Sequence, residues 1–418
     1  MTGEPSATGV AAGLRVLDFT WFGVGPITTK YLADNGAEVI KVESRRHPDG
    51  LRLAPPFASP AGINRSQYYG NFNSSKKSIT IDMTTPAGRE LVRQLIPHCD
   101  VVAESFRVGT MDRWDLGYEQ LRQIRPDVIY YATCLQGQTG PRAGFAGFGM
   151  QLAAIAGLYY LSGYSPEELT PPHGPYTDFI APRFGCFALL AALDHRRRTG
   201  EGQLIDLSQY ESTLQFLAPG LTHYFATGEV ARPAGNRSPR YAPHGAYRCR
   251  DESGRERWIA LAVEDDQQWS ATLTVLGAAT GAISGPDVGT GPPELAAQAD
   301  RLVRPDETDD YVSGLTRQRN AGELAAALQQ AGVAAYPVQN CADLRSDENL
   351  QAFGFFRELE QAECGSMPYD GLAYRLGRTP GQQSAAPNLG QDTDEVLSCL
   401  LGLSAAQIQA LRDDNVLY

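Results

Sequence analysis

The sequence predicts an α/β protein: a large domain built on a doubly wound, largely parallel sheet, plus a smaller α+β domain. Two observations carry this. Short β-rich runs alternate with helical patterns from Leu14 to Cys134, and near Gly228 the character changes to turn-rich segments with short strands. The length agrees, because 418 residues exceed the usual single core.

The elements follow in order. "LRVLDFT" (14–20) reads as a strand, after which Pro26 suits a first helical turn and "ITTKYLADN" runs to a stop at Gly36. "AEVIKVE" (37–43), "SITIDM" (78–83), "DVVAESF" (100–106) and "DVIYYATC" (127–134) read as further strands. The helical patterns "PAGRELVRQLIPH" and "MDRWDLGYEQLRQI" separate the last three. Such alternation places ligands beyond the carboxyl ends of the strands. Helical patterns follow in "MQLAAIAGLYYLSG", in residues 182–198 and in "SQYESTLQFLAPGLTHYFAT". The large domain takes 1–225 and a smaller one 226–330, including the Gly/Pro loop "SGPDVGTGPPEL" (284–295); 331–418 opens with a connection back, "AGVAAYPVQN", and ends in a helix and tail.

Composition excludes several functions. A net charge of −12 disfavours nucleic acid and anionic membrane as partners, since both attract positive fields. Seven scattered cysteines, never spaced CxxC, indicate neither a disulfide framework nor a zinc site and fit a reducing compartment. "MTGEPSATGVAAG" lacks a basic region followed by an apolar core, and no stretch approaches 18 apolar residues, so a cytoplasmic, soluble protein is expected.

Several signals compete for the chemistry. "LDFTWFGVGPITTKYLADNGAEVIKVE" imitates a dinucleotide-binding fingerprint, but Thr28 stands where the third glycine belongs and Pro26 removes an amide from the helix start. Arg45, Arg46, Arg52, Lys76, Lys77 and Arg113 cluster after consecutive strands, where cations suit a phosphorylated ligand and a solvated face is the plainer alternative. No His spacing suggests a metal and no GxSxG elbow occurs; Cys134, at a strand end without a specified cation, reads as a buried thiol. Asp178 stands in "PHGPYTDFIAPRFG", just ahead of an apolar helical run, where an aspartate can either cap the helix or do chemistry.

The ordered motifs resemble those of the class III CoA-transferases, the family of formyl-CoA, carnitine and bile-acid CoA-transferases that also holds the α-methylacyl-CoA racemases. The residues that carry the likeness are "GLRVLDFTWFGVGP", "GAEVIKVES", "NSSKKSITIDM", "DVVAESFRVGTMDRWDLGYEQL", "GQTGP", "RRRTGEGQLIDLSQYE", "AGNRSPRYAPHGAYRC" and "AAPNLGQDTDEVLSCLLGLS", spanning nearly the whole chain. The resemblance implies a large domain made from both chain ends, a small inserted domain and an obligate interlocked homodimer, or a heteromer with a related subunit. It implies acyl-CoA and a small carboxylic acid as substrates, no metal, and Asp178 as the catalytic nucleophile.

The formyl-CoA branch implies CoA contacts at the turn Phe22, Gly23, Val24 and Gly25, at Ser44 or Arg45, at Ser105 with Phe106, at Arg113 and at Cys134; Lys76 joins them from the basic cluster. Ser105 in place of Asn and Cys134 in place of Lys depart from that branch and imply another subfamily. Phe148 stands where the racemases use a His, and Phe cannot move a proton. The N-terminal stretch is similar to the succinyl-CoA:benzylsuccinate type, which implies succinyl-CoA and an aromatic or bulky acid. A racemase, a nicotinamide-dependent oxidoreductase and a non-catalytic acyl-CoA-binding subunit are the alternatives.

Overall fold

The computed structural model describes residues 9–165, 167–280 and 292–418, so most of the expected loop at 284–295 lies outside the described residues. Two compact units emerge. One comprises the chain up to Leu158, Pro172–Val230 and Glu348–Tyr418; the other comprises Tyr159–Pro171 and Ala231–Asp347.

The first unit is built on six strands, β1 (Arg15–Phe19), β2 (Glu38–Glu43), β3 (Lys77–Thr80), β4 (Val101–Glu104), β5 (Ile129–Cys134) and β6 (Leu204–Ser208), in the order β3-β2-β1-β4-β5-β6. Every pairing is parallel. Successive residues of a strand point to opposite faces, so one strand feeds two cores. Leu17, Ile40, Ile79 and Val102 pack on one face with Leu91, Leu95, Val396 and Leu397. Val16, Val39, Val101, Ile129 and Tyr131 pack on the other with Leu32 and Ala33 of the first helix (Val24–Ala33) and with Leu189 and Ala192 of the long helix (Tyr176–Thr199). By length and composition the long helix could cross a membrane, yet this packing makes it a core helix of the sheet.

Several segments depart from the sequence reading. β6 was not expected; it is the outer strand, with Leu204 exposed, so it lacks the apolar run of the inner strands. The helical pattern after β4 breaks into Thr110–Arg113 and Tyr118–Ile124, because Asp115 takes the left-handed conformation at φ +54°.

The second unit holds an antiparallel sheet, β7 (His244–Arg248), β8 (Trp258–Ala262) and β9 (Ala334–Pro337), in that order. Its core joins Ile259 and Leu261 to Leu273, Val312 and Leu324. β9 falls in the segment read from sequence as a connection.

The strand order reverses between β1 and β4, so the loops after these two strands diverge and leave a crevice at their carboxyl ends. The turn after β1 is held from below by charges removed from water. Asp18 accepts from Lys76 Nζ at 2.9 Å, Thr29 Oγ1 at 2.8 Å and Thr20 N at 2.9 Å. Lys41 pairs with Asp49 at 2.9 Å, and Arg52 grips Glu43 through two bonds of 2.8 and 2.9 Å. All six side chains are fully buried. Burial alone would raise the Asp18 carboxyl, but Lys76 and Lys41 hold it below the usual carboxylate value. Burial, opposed by Asp18 and reinforced by Lys41, brings Lys76 down to about 8.

Lys76→Met leaves Asp18 buried beside one fewer cation and is expected to cost about 3–5 kcal/mol. Arg45→Ala, on an exposed side chain, is expected to stay within about 0.5 kcal/mol. Urea denaturation followed by circular dichroism measures both.

Candidate active site

The turn after β1 carries its conformation into the crevice. Asp49 Oδ1 accepts the Phe22 amide at 3.0 Å, and Phe22 sits at φ +62°, a region that L side chains rarely adopt. That kink turns the chain so that Gly23 meets the first turn of the long helix. Across the crevice, the Ser105 hydroxyl accepts from Trp21 N at 2.7 Å and lies 3.2 Å from Trp21 O, tying the β4 loop to the β1 loop.

Asp178 occupies the third position of the long helix, in the first turn, where the helix dipole favours negative charge. Pro182, four residues on, has no N–H to give to the Asp178 carbonyl. The carboxylate lies between two backbones that approach it closely. A Cβ on Gly23 would fall 2.7 Å from Asp178 Oδ2, and one on Gly149 would fall 2.4 Å from Oδ1. A side chain at either place would force the Asp178 carboxylate to shift. The Thr177 hydroxyl, 3.2 Å from Gly149 O and 3.4 Å from Asp178 Oδ1, closes the arrangement.

Burial pushes the Asp178 carboxyl up to about 6, with the Thr177 hydroxyl opposing; no charged neighbour contributes. Chemically, this is a carboxylate that no cation among the described residues engages, set against a cavity. It can attack an electrophilic carbonyl once ionised.

The cavity measures ≈240 Å³. Asp178, Phe22, Gly23, Val24, Ser105, Phe106 and Cys134 all line it. Arg45, Lys76 and Arg113 do not. Arg45 is exposed, its amide bonded to Tyr418 O at 2.9 Å; Lys76 is occupied by Asp18 beneath the turn; Arg113 is exposed and donates to Thr110 Oγ1 at 2.9 Å within its own helix. Cys134 is a protonated thiol at neutral pH, pushed up to about 11 by burial against the pull of the Gln136 and Gly137 amides. The Phe148 ring is exposed and meets the Phe22 ring edge-on at 5.6 Å.

Sequence reasoning missed Arg107 and Gln209, which also line the cavity. Arg107 directly follows Phe106, so adjacency to a candidate was the available signal. Gln209 follows β6, and its Oε1 is buried without a hydrogen-bond partner. A second cavity of ≈260 Å³ shares Trp21 and Phe106 with the first and is walled by Phe19, Val42, His47, Met83 and Trp114. Among the described residues, no group of three or more His, Cys, Asp or Glu is placed to hold a metal ion.

Comparison with known proteins bears on this site. The family model described as CoA-transferase family III matches residues 11–393. The chain is 31% identical over 405 residues to a succinyl-CoA–D-citramalate CoA-transferase of Chloroflexus aurantiacus, covering 97% of each chain. It is 32% identical over 418 residues to a protein named the alpha subunit of succinyl-CoA–L-malate CoA-transferase from the same organism, covering 97% of this chain and 92% of that one. A crystal structure of a CAIB/BAIF family protein from Brucella suis superimposes with a TM-score of 0.85 at 29% identity, over 94% of this chain and 100% of that one.

Gly149→Ala is expected to push the Asp178 carboxylate out of its slot and to destabilise the fold by about 1–3 kcal/mol. In ¹³C-carboxyl NMR spectra, Asp178 is expected to titrate near pH 6 in the unaltered protein and to move toward the ordinary carboxylate range in the variant, as the side chain gains water.

Proposed function

The chain belongs to CoA-transferase family III, and from that premise we propose that it moves CoA from succinyl-CoA to a free carboxylic acid with Asp178 as the covalent nucleophile. The observation that carries this reading is the desolvated, unpaired Asp178 carboxylate on a cavity wall at the reversal of strand order. Succinyl-CoA as donor is supported by the names of the relatives.

The chemistry balances in four exchanges. The Asp178 carboxylate attacks the thioester carbonyl, forming a mixed anhydride and releasing CoA thiolate. The thiolate attacks the Asp178 carbonyl, giving an aspartyl-CoA thioester and free succinate. The acceptor carboxylate then attacks that thioester, giving a second anhydride and thiolate. Finally the thiolate attacks the acceptor's carbonyl, which yields the new acyl-CoA and restores Asp178. Each step replaces one activated acyl group by another, so the barriers stay low without ATP.

Residues around Asp178 suit these steps. An anhydride hydrolyses readily, so the Phe22–Phe148 edge pair would serve by keeping solvent from the bond. The dipole at the start of the long helix would favour the negative charge of the tetrahedral oxyanions. Arg107 offers a cation to an anionic group of either substrate. The second cavity, with Trp21, Phe106 and Trp114 on its walls, suits the adenine ring of CoA by aromatic stacking.

We further infer that the working form is a dimer of this chain, or of this chain with a related subunit, as the alpha-subunit name of one relative suggests. Phe187, Leu190, Phe216, Tyr224 and Phe225 of the first unit each expose at least half of their surface, apolar side chains that a partner chain would cover.

Incubation with succinyl-CoA followed by hydroxylamine is expected to place a hydroxamate on Asp178, read by peptide mass spectrometry; an unmodified Asp178 counts against the mechanism. Asp178→Ala is expected to lower transfer on the order of 10³-fold or more. Because a carboxyl raised to about 6 is protonated below that pH, kcat/KM should fall about tenfold per pH unit on the acid side. Native mass spectrometry is expected to return a dimer.

A further inference from the structure

The residue after Asp178 lines a different space. Phe179 is on the wall of a third cavity, ≈140 Å³, which also holds Lys30, Tyr31, Phe72, Arg183 and Asp370 and does not include Asp178. Its charges are unusual for this unit. The other deeply buried cations, Lys41, Arg52 and Lys76, each have a carboxylate within 2.9 Å. Lys30 is only 8% exposed, yet its ammonium bonds to Asn71 O at 2.8 Å and, weakly, to Asn71 Oδ1 at 3.5 Å, with no carboxylate of the described residues in contact. A buried ammonium without a counter-charge is costly.

Arg183 adds to the imbalance. Its guanidinium lies 5.6 Å from the centre of the Tyr31 ring and donates to the carbonyl of Phe179 in its own helix. Burial lowers the Lys30 ammonium, and Arg183 contributes to that against Asp34 and Asp370. Asp370, the one carboxylate on the wall, is held at 3.0 Å by Asn71 Nδ2 instead of by Lys30. Asp34 is engaged by Ser74 and Ser75 at 2.8 and 2.6 Å.

We infer that this cavity is a second, non-catalytic binding site for a small carboxylic acid with an apolar body, its carboxylate between Lys30 and Arg183 and its body against Tyr31, Phe72 and Phe179. The volume admits a small organic acid, since one water occupies about 30 Å³. An anionic head supplies the charge that Lys30 lacks, and charge-assisted bonds to an ammonium and a guanidinium are the strong kind. The aromatic walls disfavour a fully hydrated anion. Phe179 adjoins Asp178 in sequence and packs edge-on to Phe72 at 5.8 Å, so an acid seated here acts on the turn that carries Asp178. In a CoA-transferase the ligand class is that of the free acids it consumes and releases, which is the only point at which the inference leans on the proposed function.

Calorimetric titration of the full chain with benzoate tests it without turnover, so its outcome is separate from that of the transfer mechanism. Benzoate is expected to bind, and binding is expected to persist in Asp178→Ala. Arg183→Gln, on an exposed side chain, and Lys30→Met should each weaken it roughly tenfold or more, with thermal melts confirming that both variants fold. Absence of binding to the unaltered protein, equal binding in Arg183→Gln, or loss of binding in Asp178→Ala overturns the site. Inorganic phosphate binding as tightly as benzoate overturns the apolar-body assignment.

Discussion

Six charged side chains withdrawn from water beneath the β1 turn decide the geometry above them. The Asp18–Lys76, Lys41–Asp49 and Glu43–Arg52 pairs each carry a desolvation cost that mutual attraction largely offsets, so their net contribution to stability is modest. Their effect is positional. Asp49 takes the Phe22 amide and holds that residue at a positive φ, which sets the path of Gly23 past Asp178. An uncharged floor could not hold the turn there, because a strained backbone needs an over-determined surrounding.

The same residue type meets opposite fates a short distance along the chain's fold. Asp18 is as buried as any group in the protein, but two lysines keep it ionised below the usual range. Asp178 is less enclosed and has no cation in contact, so burial, opposed only by the Thr177 hydroxyl, carries it up to about 6. Glu104, at the end of β4, rises further, to about 8, through burial, with Asp112 and Asp206 adding to it against the Phe106 amide. Environment thus sets a carboxylate held ionised by its cations apart from one raised by burial, and the separation arises from what each lacks or has as a neighbour.

Much of the fold is legible in the chain. The first five strands of the sheet are apolar runs bounded by turn signals, and the inner ones are buried on both faces, which is why they read clearly. β6 escapes because an outer strand need not be apolar. Within the crevice, Phe22, Gly23, Val24, Ser105, Phe106, Cys134 and Asp178 come together from four separate segments, each at the carboxyl end of a strand or the start of a helix. Lys76 lies next to Lys77 and looks like any surface cation in one dimension; in three it is fully buried and paired with Asp18. Arg107 was signalled only by its place next to Phe106, and Gln209 carries no pattern that distinguishes it from other polar loop residues.

The sequence by itself determined the alternation of strands and helices, the parallel sheet and the family, because periodicity and motif order are properties of the chain read locally. Only the tertiary structure decided which charges face a ligand and which face each other. A side chain's direction, its distance from a partner and its access to water depend on segments remote in sequence, and electrostatic energy follows those distances rather than chain order. For that reason Asp178 and Asp18, alike as letters, became a carboxylate poised at a cavity and a carboxylate locked in the floor beneath it.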